Sequence, residues 1–399
     1  MLVRVLPSTA VRRLSLLLLA LAPVGVAAQQ RATPGVILGT VSAADAGVPL
    51  VNAVVQIEAL GFEAFTNFAG AFAMRSVPPG DYSLRVRRIG FTPKRIDVHV
   101  GPADTVRLDI ALTHVAVRLA PMAIRARSAC TTPGLPSVNA ADPTSVALLT
   151  LFEQVRQNAE QYLSVSKRYP FEYALERLMT VVAIDSSRRP LSADTILVSS
   201  ELPFKYRPGE LLTRERHRTA DFEWVVRIPT LVNFADPVFQ VTHCFAYDGI
   251  ESVDGRGLAR IAFQAADSIK APDVDGVVYL DTASFQIARL TMTLTESPPA
   301  LRGVAGVTAT TYFREVAPSV SVIDRVESVN RLRRQRGPKP AVATIGAQRM
   351  VYFRFLNESP SGAVPPPTSS AAWWQPLRSP VHLTEVRHQT IHDSLQRAQ

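Results

Sequence analysis

The chain has 399 residues, with 43 lysines and arginines, 34 acidic side chains and two cysteines. Removing the three arginines of residues 1–28 leaves 40 basic and 34 acidic side chains, a net charge of +6 that is too mild to identify a partner. The remaining ~370 residues suit two or three domains and are too few for a large receptor barrel with its plug.

Residues 1–28 have the three parts of a secretory signal peptide. Arginines precede an apolar run over residues 14–21, and small residues precede Gln29. The run is shorter than the ~20 residues that span a membrane, so we expect cleavage, with an uncleaved anchor as the alternative. We therefore predict export to the periplasm or to the outer membrane, and no nucleic-acid partner.

Residues 35–113 contain short apolar runs separated by turn residues, without helix-length patterns. Phe72 and Met74 alternate in one run, and Leu84 and Val86 alternate in the next. Pro-Pro-Gly-Asp at 78–81 joins these runs with residues typical of a tight turn. The pattern predicts a small β-sandwich.

Spaced motifs run through this region: Gly39-x-Val41, Gly47-Val48-Pro49-Leu50-x-x-Ala53-x-Val55, Thr66-x-x-x-Gly70-x-Phe72, Val77-Pro78-Pro79-Gly80-x-Tyr82-x-Leu84-x-Val86 and Gly90-Phe91. They resemble the carboxypeptidase regulatory-like domain, a transthyretin-like (prealbumin-type) accessory module with a carbohydrate-binding-like fold. The resemblance covers about a fifth of the chain and implies the fold and contact with a ligand or sugar, not peptidase activity. Family members often carry acidic residues before the Gly-x-Phe motif; the turn at 67–70 has none, so we expect no calcium there.

The first domain is assigned to residues 29–127 and is followed by a linker at 128–141. Residues 115–127 predict a last edge strand. In outer-membrane receptors a similar strand after this module contacts the TonB energy-coupling protein, but that interpretation needs a large barrel downstream. The linker is rich in Ser, Pro, Gly and Asn.

A helix is predicted after the linker. Asp142 suits the N-cap and Pro143 the first helical position. Apolar residues recur every three or four positions from Val146 to Leu163, which indicates a helix that packs on a core. Tyr169-Pro170 should end it.

The alternation over residues 170–356 predicts long antiparallel strands. The candidate strands are 171–184, 194–206, 211–228, 238–247, 258–265, 276–280, 285–295, 304–315, 321–332 and 341–355. The alternation shifts between Phe285 and Leu294, which indicates a β-bulge. The fold class is thus mainly β: a transthyretin-like sandwich, then a helix plus curved antiparallel sheet over 142–356. The second domain weakly resembles the half-barrel of bacterial lipoprotein carriers.

A small outer-membrane β-barrel is the competing fold for these strands. Strand length and aromatic content favour it. Charges on both strand faces, such as Glu172 and Arg177, and a polar C-terminus argue against it. Residues 357–399 predict a Pro-rich flexible tail, in which Trp373-Trp374 could cap a groove, stack on a sugar or simply pack.

Catalytic signatures are weak in this sequence. It contains no Gly-x-Ser-x-Gly, His-Glu-x-x-His or phosphate-loop motif, and Gly255-x-Gly257 is a hairpin turn. His382, Glu385 and His388 have zinc-ligand residue types at helical spacing, and His-x-x-Glu resembles the first zinc-binding pair of metallocarboxypeptidases. A solvated polar helix is the alternative.

Cys130 and Cys244 are predicted to form a disulfide, because an even cysteine count is typical of exported proteins. The long loop that it closes would stabilise the fold by roughly 4–5 kcal/mol. His243 beside Cys244 could act as a base for a reactive thiol. Neighbours in a strand point to opposite faces, which argues against that pair.

A cluster of arginines marks a predicted loop between strands: Arg331, Arg333, Arg334 and Arg336. Its functional interpretation is contact with an anionic envelope polymer or lipid phosphate, and its alternative is a solvated turn. Asp273, Asp275 and Asp281 near the clearest hairpin are interpreted as turn formers.

These patterns favour a non-enzymatic, extracytoplasmic binding or scaffold protein of the bacterial envelope, with an apolar or glycan ligand. Its expected partner is an envelope component or another exported protein, with peripheral membrane contact as a further option, and no cofactor is expected. The alternatives are a metal-dependent hydrolase or peptidase and the small outer-membrane barrel.

Overall fold

A computed structural model describes residues 33–117, 129–137, 142–200, 205–216, 222–226, 229–296, 303–333, 341–364 and 381–382. The predicted signal peptide and Trp373-Trp374 lie outside these residues, as does most of the edge strand predicted at 115–127. The described protein is mainly β, as the sequence predicts.

The first domain is a sandwich of two sheets. Its strands are β1 (Gly35–Ala43), β2 (Val54–Ile57), β3 (Phe62–Phe65), β4 (Ala71–Val77), β5 (Gly80–Arg87), β6 (Lys94–Val100) and β7 (Thr105–Leu112), with a short 3₁₀ helix at Glu58–Leu60. One sheet has the order β4-β1-β7 and the other β3-β2-β5-β6, and β1 pairs in parallel with β7. The alternation is confirmed, since Phe72, Met74, Leu84 and Val86 are buried between the sheets.

Gly70 shows why this motif requires glycine. Its φ is +69°, a conformation that side chains rarely adopt, and a Cβ there would lie 2.5 Å from the Val41 carbonyl oxygen. The motif therefore serves the close approach of the β3–β4 turn to β1.

The predicted helix is α1 (Pro143–Arg168), with Asp142 at the N-cap and Pro143 in the first turn. The Asp142 carboxylate accepts a 3.0 Å hydrogen bond from the Thr144 backbone N–H. The helix ends before Tyr169-Pro170, as predicted.

The second domain is a ten-stranded sheet flanked by α1. Its order is β12-β13-β14-β15-β16-β17-β18-β8-β9-β19. The strands are β8 (Phe171–Ala183), β9 (Arg188–Ser199), β12 (His243–Val253), β13 (Arg256–Ala265), β14 (Val274–Asp281), β15 (Ile287–Leu294), β16 (Val304–Ala317), β17 (Val320–Leu332), β18 (Ala341–Phe355) and β19 (Val381–His382). Strands β10 (Leu212–Arg216) and β11 (Phe222–Val226) form a separate hairpin, and a 3₁₀ helix spans Leu231–Ala235.

Three of the strand predictions need correction. The run predicted at 194–206 begins earlier, at Arg188, and ends at Ser199, while 211–228 divides into the β10–β11 hairpin. The run at 238–247 begins as the short helix α2 (Pro237–Val241), because Asp236 caps the Val238 backbone N–H at 2.9 Å and Pro237 fixes a helical φ.

The predicted bulge is confirmed in β15. Ile287 pairs with Leu280 and Arg289 with Tyr279, so Ala288 is the extra residue. The bulge brings Ile287 onto the same buried face as Leu290, Met292 and Leu294. The turn at Asp254-Gly255 is also confirmed, since both residues have positive φ as a tight hairpin requires.

Helix α1 packs on one face of the sheet, here called the inner face, and the opposite side is the outer face. The N-terminal half of α1 contributes Leu151, Phe152 and Val155 to a core with β12–β16. Near its C-terminus, Val165 joins a second core with Phe171 and other residues of β8, β9, β17 and β18. The helix therefore joins two cores on the inner face.

Candidate functional site

The two domains meet through a buried polar interface between β5 and α1. Arg87 is 2% exposed and donates hydrogen bonds to the Ser164 hydroxyl at 2.7 Å and the Gln161 side-chain oxygen at 3.2 Å. Its guanidinium lies 3.5 Å from the Glu160 carboxylate. Burial lowers the pKa of Arg87 to about 10, although Glu160 opposes this shift. These hydrogen bonds and the nearby Glu160 carboxylate attach Arg87, and with it the sandwich, to the helix.

The Gly90-Phe91 motif supplies the rest of that interface. The Gly90 backbone N–H donates to the Gln154 side-chain oxygen at 2.7 Å, and the Gln157 amide donates to the Phe91 carbonyl at 3.3 Å. Asn158 then links the helix to the sheet, accepting from the Ile287 N–H and donating to the Phe285 carbonyl. The sandwich, α1 and the sheet thus form one connected unit.

The part of the inner face covered by the N-terminal half of α1 is closely packed. Its side chains from β12–β16 belong to the same buried core as those of the helix. This end of the sheet therefore has a filled core and no open groove among the described residues.

On β8, β18 and β17 the inner face carries polar as well as apolar side chains. Here the register aligns Arg177, Gln348 and Val326 in one row, Met179, Gly346 and Ser328 in the next, and Val181, Thr344 and Asn330 in a third. We call the side chains of Arg177, Met179, Ser328, Asn330, Thr344 and Gln348 the inner floor. It lies between the two cores and mixes polar with apolar groups.

Asn330 is the least satisfied group of the inner floor. It is 1% exposed and its amide donates to the Thr344 hydroxyl at 3.0 Å, but its side-chain oxygen has no hydrogen-bond partner. Arg177 at the other side of the floor donates to the Asp194 carboxylate, with Nε 2.7 Å from Oδ1. The floor thus contains a buried acceptor that has no donor among the described residues.

A second buried polar cluster surrounds Asp273. Its carboxylate accepts hydrogen bonds from the Tyr206 hydroxyl at 2.7 Å and the Gly209 N–H at 3.0 Å, and lies 3.6 Å from Nε2 of His243. Burial and the bond to Asp273 raise the pKa of Tyr206. The turn interpretation of Asp273 was wrong, because the residue is fully buried and ties three segments together.

The other two aspartates differ from Asp273. Asp281 is a turn former as predicted, accepting from the Ala283 and Ser284 N–H groups. Asp275 instead accepts from the Ala265 N–H on the neighbouring strand β13. None of the three faces another carboxylate in the geometry of a catalytic pair.

The structure contains the Cys130–Cys244 disulfide, with Cα atoms 5.7 Å apart. Cys244 therefore holds no free thiol, which removes the thiol–base interpretation of His243. The His243 ring is fully buried and stacks on Phe239, with the ring centroids 3.9 Å apart. Its Nδ1 lies 3.0 Å from the Phe239 carbonyl oxygen.

The predicted zinc ligands fall largely outside the described residues. The backbone of His382 lies in β19, paired in parallel with Ser199, while Glu385 and His388 are not among those residues. Within the described part of the chain, His, Cys, Asp and Glu side chains form no group of three or more that could hold a metal ion.

The arginine cluster begins on a strand rather than in a loop. Arg331 lies in β17, and Arg333 follows it, with its Nε donating to the Val304 carbonyl at 3.2 Å. Arg334 and Arg336 lie outside the described residues. Arg331 and Arg333 are both exposed.

Residues 36–113 match the family model of the carboxypeptidase regulatory-like domain. The first domain is a carboxypeptidase regulatory-like domain. Its sandwich topology and its glycine-dependent turns agree with the resemblance seen in the sequence. No curated protein sequence is significantly similar to the chain.

Solved structures with partial similarity include a LolA superfamily protein from Nitrosomonas europaea, at 8% identity and a TM-score of 0.26 over 52% of this chain and 94% of that one. A DUF1329 family protein from Desulfovibrio piger has 10% identity and a TM-score of 0.26 over 52% and 95%. A cohesin–X-dockerin complex from Acetivibrio cellulolyticus has 17% identity and a TM-score of 0.18 over 20% of this chain. The match spans 56% of that chain, less than two thirds of its length. Similarity at this level does not establish a shared function.

None of the helices in the described ranges is both long enough and apolar enough to cross a bilayer.

Proposed function

We propose that the protein is a non-enzymatic binding protein of the bacterial envelope, exported by the signal peptide predicted at residues 1–28. The Cys130–Cys244 disulfide supports this, because such bonds persist in oxidising compartments outside the cytoplasm. The regulatory-like domain at 36–113 supports an accessory rather than a catalytic role, because the resemblance implies a binding module.

The ligand would lie on the inner floor, and the proposal rests on Asn330. Buried polar atoms in proteins almost always have a hydrogen-bond partner, yet the side-chain oxygen of Asn330 has none. A hydroxyl or amide of a ligand, directly or through an ordered water, would supply the missing donor.

The chemistry of the inner floor favours a glycan over a purely apolar chain. Ser328 and Thr344 place hydroxyl groups on either side of Asn330, and both are largely buried. The Thr344 hydroxyl already accepts from Asn330, but an acyl chain would leave the Asn330 side-chain oxygen without a donor, at a cost of about 1–3 kcal/mol. A sugar has hydroxyl donors for this oxygen, and Met179 supplies an apolar contact for its ring carbons.

The sandwich would act as a fixed scaffold for this site. Arg87 and the Gly90-Phe91 motif bind α1 on the side opposite to its apolar stripe. Because α1 also packs in both cores of the inner face, the sandwich holds the helix that borders the floor.

Native mass spectrometry of the protein, purified from the periplasm without detergent, tests the proposal. We expect a mass above that of the polypeptide by a glycan, and loss of that excess in Asn330→Ala. Glu327→Gln is the matched control, since it lies on the same sheet pair but on the outer face. A bare wild-type mass, together with no binding of oligosaccharides or of an apolar dye, would contradict the proposal.

A further inference from the structure

The outer face of the sheet carries an apolar patch on β17, β18 and β8. Leu178 is 44% exposed and Val329 40% exposed. Ile345 and Ala347 lie between them, since the register pairs Val329 with Ile345 and Ala347 with Leu178. No register shift interrupts β17 and β18 here, so these four side chains share one face. We call Leu178, Val329, Ile345 and Ala347 the outer patch.

Two exposed arginines lie beside the outer patch at the end of β17. Arg331 follows Val329 by two residues within the strand and therefore points to the same face. Arg333 comes directly after the last residue of β17 and is also exposed. Within the described part of the chain, no carboxylate forms an ion pair with either guanidinium. These two positive charges are thus available to a partner.

The acidic residues beside the outer patch are already neutralised. Glu327 pairs with Arg325 at 3.2 Å, and Glu176 pairs with Arg349 at 2.6 Å. Each of these ion pairs is neutral overall, so Arg331 and Arg333 give this surface a net positive charge. The surface therefore combines exposed apolar side chains with unpaired positive charge on one sheet face.

We propose that the outer patch, with Arg331 and Arg333, docks the protein on an anionic lipid bilayer surface. The face of a sheet presents side chains over a wide area, which suits the extended surface of a bilayer. Leu178 and Val329 would enter the headgroup boundary while the guanidinium groups pair with lipid phosphates. An anionic polysaccharide would use the arginines but leave the apolar side chains in water. A second copy would bring like charges together.

This inference is independent of the ligand on the inner floor, because the two surfaces lie on opposite faces of the sheet. Loss of glycan binding in Asn330→Ala would leave membrane docking unchanged. Conversely, variants of the outer patch should keep any ligand that copurifies with the protein.

Co-sedimentation with vesicles tests membrane docking. We expect the protein to bind vesicles containing phosphatidylglycerol, to ignore vesicles of phosphatidylcholine alone, and to lose binding as salt rises. Arg331→Gln and Arg333→Gln should each weaken binding about fivefold, as each arginine near an anionic surface contributes about 1 kcal/mol. The double variant Leu178→Ser/Val329→Ser should weaken binding at low and high salt alike.

Matched controls are exposed residues of the first domain. Arg107→Gln removes one exposed arginine, and Val48→Ser removes a side chain that is 56% exposed; both should bind like the wild type. Circular dichroism establishes that each variant is folded. Failure to bind the anionic vesicles would overturn the proposal, as would an equal loss in Arg107→Gln. A dimer in solution that Leu178→Ser/Val329→Ser dissociates would instead assign the patch to self-association.

Discussion

Arg87 on β5 and Ser164 on α1 form a 2.7 Å hydrogen bond between residues 77 positions apart in the sequence. The bond is buried and belongs to a network that also includes Glu160 and Gln161. It means that the first domain is fixed to the helix on which the second domain is built.

We predict that Arg87→Ala destabilises the whole protein. The substitution removes the buried hydrogen bonds that Arg87 donates to the Ser164 hydroxyl and the Gln161 side-chain oxygen, while Glu160 keeps its pairs with Arg85 and Arg156. Losing these bonds to a charged, buried side chain should lower the free energy of unfolding by about 3 kcal/mol. Urea denaturation measures this loss. Arg75→Ala, at an exposed position on β4, is the control and should change stability by less than about 0.5 kcal/mol. Equal stability of the two variants would show that the interface is not coupled to folding.

The sequence predicts the sandwich and α1 well because their signals are local. Turn glycines such as Gly70, the Asp142 cap and the apolar stripe each need only a few neighbouring residues. The other side of α1 could not be predicted in this way. Glutamine is usually exposed to solvent, yet Gln154 and Gln157 are both buried. They hydrogen-bond to the backbone of Gly90 and Phe91, which lie 63 to 66 residues earlier in the sequence.

The candidate site was less predictable for the same reason. Asn330 lies in an ordinary alternating strand, and only the register that places Thr344 beside it shows a buried amide with a spare acceptor. Asp273 has the composition of a turn residue, but Tyr206 binds it from 67 positions away. The alternation of polar and apolar residues shows which side chains share a face of a strand. It does not show which side chains from distant segments contact that face.

Substitutions of two buried tyrosines by phenylalanine should have different effects on stability, because one tyrosine donates a buried hydrogen bond and the other has an unpaired hydroxyl. Tyr206→Phe removes the donor to the buried Asp273 carboxylate and should cost about 1.5–3 kcal/mol. Tyr173→Phe removes a buried hydroxyl that has no hydrogen-bond partner, so its stability should be unchanged or higher. Both are buried tyrosines that lose one oxygen, so urea denaturation of the two variants is a matched comparison. A larger loss in Tyr173→Phe than in Tyr206→Phe would contradict the bonding described for this cluster.

The disulfide should contribute strongly to stability because it joins residues 114 positions apart. Replacing both Cys130 and Cys244 by serine should lower the free energy of unfolding by about 4–5 kcal/mol, mainly by freeing the unfolded chain. Denaturation of the wild type with and without a reductant gives the same comparison without mutation. If the reduced and oxidised proteins unfold at the same urea concentration, the bond does not restrict the unfolded state.

Alkaline pH should destabilise the protein through its buried tyrosines. Burial raises the pKa of Tyr162, Tyr173 and Tyr206 above the ordinary value of 10. Above that pH the unfolded chain releases phenolic protons that the folded chain retains, so stability present below pH 10 is lost as the pH rises. Burial also lowers the pKa of Arg87 and of Arg88 to about 10, and these two groups act in the opposite direction above that pH. They are two groups against the three buried tyrosines.

Absorbance at the phenolate band, recorded together with circular dichroism, measures this effect. Tyr162, Tyr173 and Tyr206 should ionise only as the protein unfolds. Tyr206→Phe removes one of these groups and should reduce the dependence of stability on pH above 10. Titration of every tyrosine near pH 10, with the fold retained, would show that these phenols are accessible to solvent and would contradict the burial from which the prediction follows.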